Sequence, residues 1–380
     1  MKLLRLALTD FRNYQRAVWE PHSLVNVLYG LNGSGKTNLL EALSLLSPGR
    51  GLHGTASHRL SRNGTRQWGV ASLLQSHDQQ FRLATGCQST GNSRRLFLLD
   101  DEPVKTQSDI TELCACVWLT PKMDRLFSEG ASQRRRFFDR LVAALMPDHA
   151  KQLVAHDRSV ASRNRILATQ ADQSVWLDSI EASISRHAVA ITAARLATLE
   201  QLHDSSLSVA GFPKVTLNLR CSLAEQLCSS PALHVEDWLR DSLKKRRETD
   251  RTKGLTSVGA HRADLTVRDS ATHQDASFLS SGQQKIMLLS LILSHGRCVQ
   301  KNWGEAPLVL LDEPFVHLDE KHRAALMEAV KTLQTTVVLT GTDAQLFLPM
   351  KGWADFIRVE EGNLYPEREC CSGFEGEINV

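Results

Sequence analysis

The chain has 380 residues, enough for two or three domains and a sizeable core. Hydrophobic residues at 42% and charged residues at 23% are ordinary for a globular protein, and no apolar run approaches the ~20 residues of a membrane span, so no membrane association is expected. Lys and Arg exceed Asp and Glu only by 45 to 42, so whole-chain charge does not mark a nucleic-acid binder and its local distribution has to be read instead.

The first residues, Met1 to Leu8, alternate, are interrupted by Arg5 and soon meet Asp10, which predicts a strand and not a signal peptide. Eight scattered cysteines include no Cys-x-x-Cys pair. Cys114 with Cys116 and Cys370 with Cys371 lack zinc spacing, and the dispersal suits a reducing cytosol. A cytoplasmic location is expected. Asp10-Phe11-Arg12-Asn13-Tyr14 follows, and then a predicted strand, Val25 to Tyr29, enters Gly30-Leu31-Asn32-Gly33-Ser34-Gly35-Lys36-Thr37. This fits the phosphate-loop pattern, and Asn38 to Leu46 leaves it with helical spacing, placing a helix N-terminus at the anion. Glycines let the loop curl its N–H groups inward on phosphate oxygens. Lys36 would reach the β- and γ-phosphates and Thr37 would hold Mg²⁺. The expected ATP-binding set is Gly30, Asn32, Gly33, Ser34, Gly35, Lys36, Thr37 and Asn38.

Residues 49–64 read as a loop, and short β-like stretches from Gln67 to Leu99 predict antiparallel hairpins. Near Pro121 the character changes: Gln133 to Ala144, Ala150 to Ala171 and Val175 to His203 carry helical patterns. In the last of these Leu177, Ile180, Ile184, Ile191, Arg195 and Leu199 form a stripe read as helix-on-helix core. Val215 to Leu219 returns to strand, a helix carries Val235, Trp238, Leu239 and Leu243, and strand and loop signals resume from about Gly254. Leu308-Val309-Leu310-Leu311 is a buried-strand run ending in Asp312-Glu313-Pro314. Asp312 would hold Mg²⁺ and Glu313 would polarise the attacking water, giving Lys36, Asp312 and Glu313 as the catalytic set. Leu96 to Pro103 has the same outline through Asp100, Asp101 and Glu102, but lacks the flanking segments of the later copy and is expected to close a hairpin.

One of those segments, Leu279-Ser280-Ser281-Gly282-Gln283-Gln284-Lys285, resembles the Leu-Ser-Gly-Gly-Gln signature of ATP-binding-cassette (ABC) ATPases, with Ser281 in place of the first glycine. It opens an apolar helix, Ile286 to Leu293, whose N-terminus could face a γ-phosphate. The resemblance implies an ATP-sandwiched homodimer in which Ser280, Gly282 and Gln283 act across the interface. Lys36 and Ser280 lie 244 residues apart. That is longer than in transporter subunits and without the long heptad coiled coil of SMC proteins.

This architecture, with Asp10 to Tyr14, Arg134-Arg135-Arg136-Phe137-Phe138-Asp139 and Gly259-Ala260-His261-Arg262-Ala263-Asp264-Leu265, resembles the RecF family of bacterial recombination-repair proteins over residues 2 to about 360. The resemblance implies an α/β ABC/SMC-type P-loop ATPase head with an antiparallel β subdomain and a helical arm. The domains would be residues 1–120, an arm over 121–254, and residues 255–380. It implies slow ATP hydrolysis, double-stranded DNA binding at gaps and single-strand/double-strand junctions, nucleoid association, and recombinase loading with RecO and RecR. Arg12 and Asn13 would lie beside MgATP. No glutamine lid stands at Val117 to Pro121 and no histidine follows Val337 to Leu339, departures that fit a weak ATPase.

Residues 131–165 and 240–262 each hold eight basic against three acidic residues. Few aromatics interleave, so phosphate contact is favoured over base stacking. The expected DNA-binding residues are Arg134, Arg135, Arg136, Lys244, Lys245, Arg246 and Arg247. His261 is read equally as a nucleotide or dimer contact and as a hydrogen-bonded loop histidine. An ABC-transporter subunit would need a more compact and less basic insert, and a phage-defence ATPase of the overcoming-lysogenization-defect type would add a nuclease domain after residue 360.

Overall fold

The computed structural model describes residues 1–87, 95–104, 109–110, 113–169, 174–204 and 207–367. The readings placed on residues 368–380, Cys370 and Cys371 included, lie outside these.

Strand β1 (Lys2–Phe11) turns back antiparallel into β2 (Tyr14–Trp19), with Asp10 and Arg12 at positive φ in the tight connection. Strand β3 (Val25–Tyr29) leaves this sheet and leads through the glycine loop into helix α1 (Lys36–Ser44). The antiparallel sheet resumes with β4 (Trp68–Ser76), β5 (Gln79–Cys87), β6 (Leu96–Leu99) and β7 (Glu102–Pro103), in the order β2-β1-β4-β5-β6-β7. Asp100 and Asp101, at φ 48° and 70°, turn β6 into β7, so the earlier acidic run closes a hairpin.

Strand β8 (Cys116–Leu119) precedes the helical region: α2 (Ala131–Leu145), α3 (His149–Thr169), α4 (Ser174–Leu202), then β9 (Val215–Arg220), α5 (Ser222–Ser229), α6 (Ala232–Lys245) and α7 (Arg247–Lys253). Strand β10 (Asp264–Asp269) pairs antiparallel with β9. Helix α8 (Ser281–Trp303), β11 (Leu308–Leu311), α9 (Glu320–Lys331), β12 (Val337–Gly341), β13 (Ala354–Glu360) and β14 (Asn363–Pro366) complete the described chain. The second large sheet runs β14-β13-β3-β12-β11-β8, parallel except for β14.

The parallel sheet is buried on both faces, which its unbroken apolar runs require. Because side chains alternate across a strand, Val27, Val117, Leu311 and Leu339 enter one core while Leu28, Trp118, Leu310 and Val338 enter the other. The second core lies between the sheets and takes Leu39, Leu40 and Leu43 of α1 with Leu6, Leu8 and Leu83 of the antiparallel sheet. The first core takes Phe138 and Leu141 of α2, Ile184 and Ile191 of α4 and Leu288 and Leu291 of α8, so the helical region shares its base with the sheet. The α4 stripe is buried as read except for the half-buried Ile180, its one polar member included: Arg195 is bonded to Asp139 at 2.8 and 2.9 Å and to the Ala260 carbonyl at 2.8 Å.

Candidate nucleotide site

The C-terminal ends of β3, β11 and β12 meet at one edge of the parallel sheet, the edge where such sheets hold ligands. Gly35 at φ 119° lets the loop pass so close to β1–β2 that a Cβ there would lie 2.6 Å from Asn13 Nδ2 and 2.8 Å from the Tyr14 hydroxyl. Those two groups brace the loop from behind: Asn13 donates to the Ser34 carbonyl at 3.0 Å and Tyr14 to the Gly35 carbonyl at 3.0 Å. Asn38 donates to Asn13 Oδ1 at 2.8 Å. Arg12 pairs with the fully buried Glu41 of α1 at 2.7 and 2.9 Å and also donates to Thr55, so it braces α1.

Inside the loop, Lys36 is buried and its ammonium donates to the Gly30 and Leu31 carbonyls at 2.7 and 2.9 Å. Burial pulls its pKa down, while the Glu313 and Asp312 carboxylates oppose that shift. The Ser34 hydroxyl is buried with no hydrogen-bond partner among the described residues, as in a cradle that awaits an acceptor. Thr37 Oγ1 lies 3.1 Å from both carboxylate oxygens of Asp312, a convergence of hard oxygen donors that fits Mg²⁺. Asp312 also accepts from the Thr340 hydroxyl at 2.7 Å, and Thr340 accepts from the Glu313 N–H at 3.0 Å. Glu313 sits at φ 48°, and its carbonyl accepts from the buried ammonium of Lys285 at 3.0 Å. Thr340 occupies the end of β12 where no histidine was found in the sequence.

The signature segment lies at the start of α8. Ser280 caps the helix by accepting from the Gln283 N–H, and the Gln283 side chain returns a bond to the Ser280 N–H at 3.0 Å. Ser280, Ser281 and Gln283 are exposed. Gly282 is seated so that a Cβ would meet the His317 carbonyl at 3.1 Å. The capping box and an outward-facing signature coexist in one turn.

Of the basic residues, Arg136, Lys244, Lys245 and Arg246 are exposed. Three others are committed internally. Arg134 holds Asp264 through two 2.8 Å bonds, Arg135 donates to the Ala263 carbonyl at 2.8 Å, and Arg247 pairs with Asp178 and Glu181 at 2.5 Å. His261 Nε2 lies 2.9 Å from the Thr256 carbonyl, and burial above all pushes the ring's pKa down to about 4. The ring is thus hydrogen-bonded within its own loop, as one of its two readings expects. Sequence reasoning missed Tyr14, Glu41, Thr340 and Lys285. The available signals were a polar residue ending a buried strand for Thr340 and a lone cation inside an apolar helix for Lys285.

The described geometry agrees with what the chain is similar to. Residues 2–360 match the family model of the RecF/RecN/SMC N terminal domain. The DNA replication and repair protein RecF of Agrobacterium fabrum is 38% identical over 96% of this chain and 98% of its own length, and that of Mesorhizobium japonicum 36% identical over 96% and 98%. A RecF-ATP structure of the recombination mediator protein RecF in the RecFOR pathway superposes with a TM-score of 0.83 at 23% identity, covering 97% of this chain and 98% of that one. The Smc head domain of Pyrococcus furiosus reaches a TM-score of 0.51 at 14% identity over 96% of each chain. Both structural likenesses speak to the fold: an α/β ATPase head of the SMC type.

Proposed function

The chain belongs to the RecF family, and from that premise we propose that it is a slow ATPase that closes as a homodimer on double-stranded DNA at gaps and single-strand/double-strand junctions. RecO and RecR are its proposed partners in recombinase loading, in line with the RecFOR pathway named for its structural relative. The observation that carries the reading is the pairing of a phosphate loop, braced from Asn13 and Tyr14 with Ser34 and Lys36 buried and its tip exposed, with an exposed signature turn on the same chain. In this reading the first holds a nucleotide, and the second, exposed, meets the nucleotide of a second copy.

The geometry supports the following roles. Bound nucleotide takes Lys36 from its carbonyl partners and gives the Ser34 hydroxyl its acceptor. Mg²⁺, held by Thr37 and Asp312, would neutralise phosphate charge. Glu313 orients water as general base. Arg12 serves the site from behind through Glu41, and Asn13 does so through the Ser34 carbonyl. Arg136, Lys244, Lys245 and Arg246 form the DNA-facing set, with Arg134, Arg135 and Arg247 supporting the arm. The division into residues 1–120, 121–254 and 255–380 is retained as the working description of head and arm.

Sedimentation of wild type and Lys36→Ala, with and without MgATP and a gapped duplex, tests the reading. ATP is expected to drive the wild type alone into a DNA-retaining dimer. A wild type that stays monomeric with ATP and ignores DNA overturns it.

A further inference from the structure

Lys285 is the cation that the nucleotide site does not account for. Its side chain is 1% exposed on a helix whose next residues are Ile286, Met287, Leu288 and Leu289, where an apolar residue would pack without desolvating a charge. The ammonium has two partners: Asp124 Oδ2 at 3.3 Å and the main-chain carbonyl of Glu313 at 3.0 Å. Asp124 lies in the short turn Pro121–Arg125 after β8, and its Oδ1 is buried with no hydrogen-bond partner among the described residues. Glu313 adopts the left-handed backbone region that a glutamate seldom enters, so something must hold it there. Its N–H is fixed by Thr340 and its carbonyl by Lys285. One turn earlier on the same helix, Gly282 is seated against the His317 carbonyl. Helix α8 therefore grips the segment after β11 at two points, and its first turn is the signature.

We propose that Lys285 is a positioning residue for Glu313: with Asp124 as counter-ion, it holds the Glu313 main chain so that the aim of the carboxylate follows the seat of the signature helix. This rests on the reading of Glu313 as the group that orients water. A signature turn pressed by a second copy would set the carboxylate of its own chain through Lys285, tying turnover to engagement.

The test uses full-length Glu313→Gln, Lys285→Met, Lys285→Arg, Asp124→Asn and the Lys285→Met/Asp124→Asn double variant. MgATP affinity and steady-state turnover are measured separately. Lys285→Met is expected to keep MgATP affinity within about twofold and to lose about tenfold or more in kcat, the scale of a displaced catalytic group. Lys285→Arg should recover part of that loss. Asp124→Asn should show a similar loss, with the double variant no worse than the poorer single one, as for two groups acting through one contact. A Lys285→Met protein with wild-type kcat overturns the proposal, and so does an additive loss in the double variant. If Lys285→Met does not fold, wild-type kcat in Asp124→Asn overturns it instead. Glu313→Gln separates the two levels. If that variant turns over normally, the catalytic reading itself fails; if it is inactive while Lys285→Met is active, only the positioning role fails.

Discussion

Arg163 and the run Lys244-Lys245-Arg246 belong to the same helical region and to equally basic stretches, yet they end in opposite environments. Arg163 is fully buried and spends its guanidinium on Glu181 at 2.9 Å, Asp250 at 2.7 Å, the Thr256 hydroxyl at 3.0 Å and the Leu243 carbonyl at 2.8 Å. Lys244, Lys245 and Arg246 are exposed, and the ion pair of Lys244 to Asp178 at 4.0 Å is loose and exposed. Helical phase separates them. His149, His156 and Arg163 recur every seven residues on the buried stripe of α3, whereas the 244–246 run ends α6 just past its last buried residue, Leu243. Charge density along a sequence counts both sets alike; only the position on the helix says which cations reach a partner outside the chain.

The sharpest way to break this comparison is to remove the inner cation. Arg163→Met leaves Asp250 buried without its guanidinium and Glu181 with Arg247 alone, and is expected to cost about 3–5 kcal/mol, read as a lowered urea midpoint at unchanged m-value. A loss under about 1 kcal/mol would place Arg163 with the outer set. A smaller effect comes from buried histidines. His295 bonds the Leu141 carbonyl from a fully buried site, and burial pulls its pKa down to about 4, as it does for His261. The unfolded chain, with ordinary histidines, takes up protons first as pH falls. Stability from these groups is complete above pH ~6.5 and is lost progressively between ~6.5 and 4, at roughly 1 kcal/mol per pH unit for each. Denaturation at pH 7, 6 and 5 should follow that slope, and His295→Gln should flatten it. The smallest change in stability is expected from reversing Lys244, Lys245 and Arg246 to Glu, within about 0.5 kcal/mol of wild type. That variant should instead bind duplex DNA more weakly and with a shallower salt dependence. An unchanged salt slope would take these residues out of the DNA-facing set.

The same division explains what was legible beforehand. The phosphate loop, the Asp312–Glu313 strand end, the signature turn and the order of β-rich, helical and α/β segments are local patterns, set by turn chemistry and periodicity, and they stand in the sequence. The hairpin turn at Asp100–Asp101 was legible from what did not flank it. Arg134 with Asp264, Arg12 with Glu41 and Lys285 with Glu313 are pairings across 130, 29 and 28 positions, and no window of sequence holds both partners. The bond from Arg12 to Glu41 is therefore not readable from Asp10 to Tyr14 alone. The placement of β3 between β12 and β13 is of the same kind, since parallel neighbours are joined through long connections.

That placement has a consequence for synthesis. The strand that delivers the phosphate loop has its two neighbours at residues 337–341 and 354–360, more than 300 positions downstream. Once residues 1–103 have emerged from the ribosome, every described strand of the antiparallel sheet is available but no neighbour of β3, whose apolar edges stay open while the helices emerge. The nascent chain thus acquires its ability to hold a nucleotide among its last acts of folding, and a message cut short before those strands yields a protein with the loop but without the sheet that gives it shape.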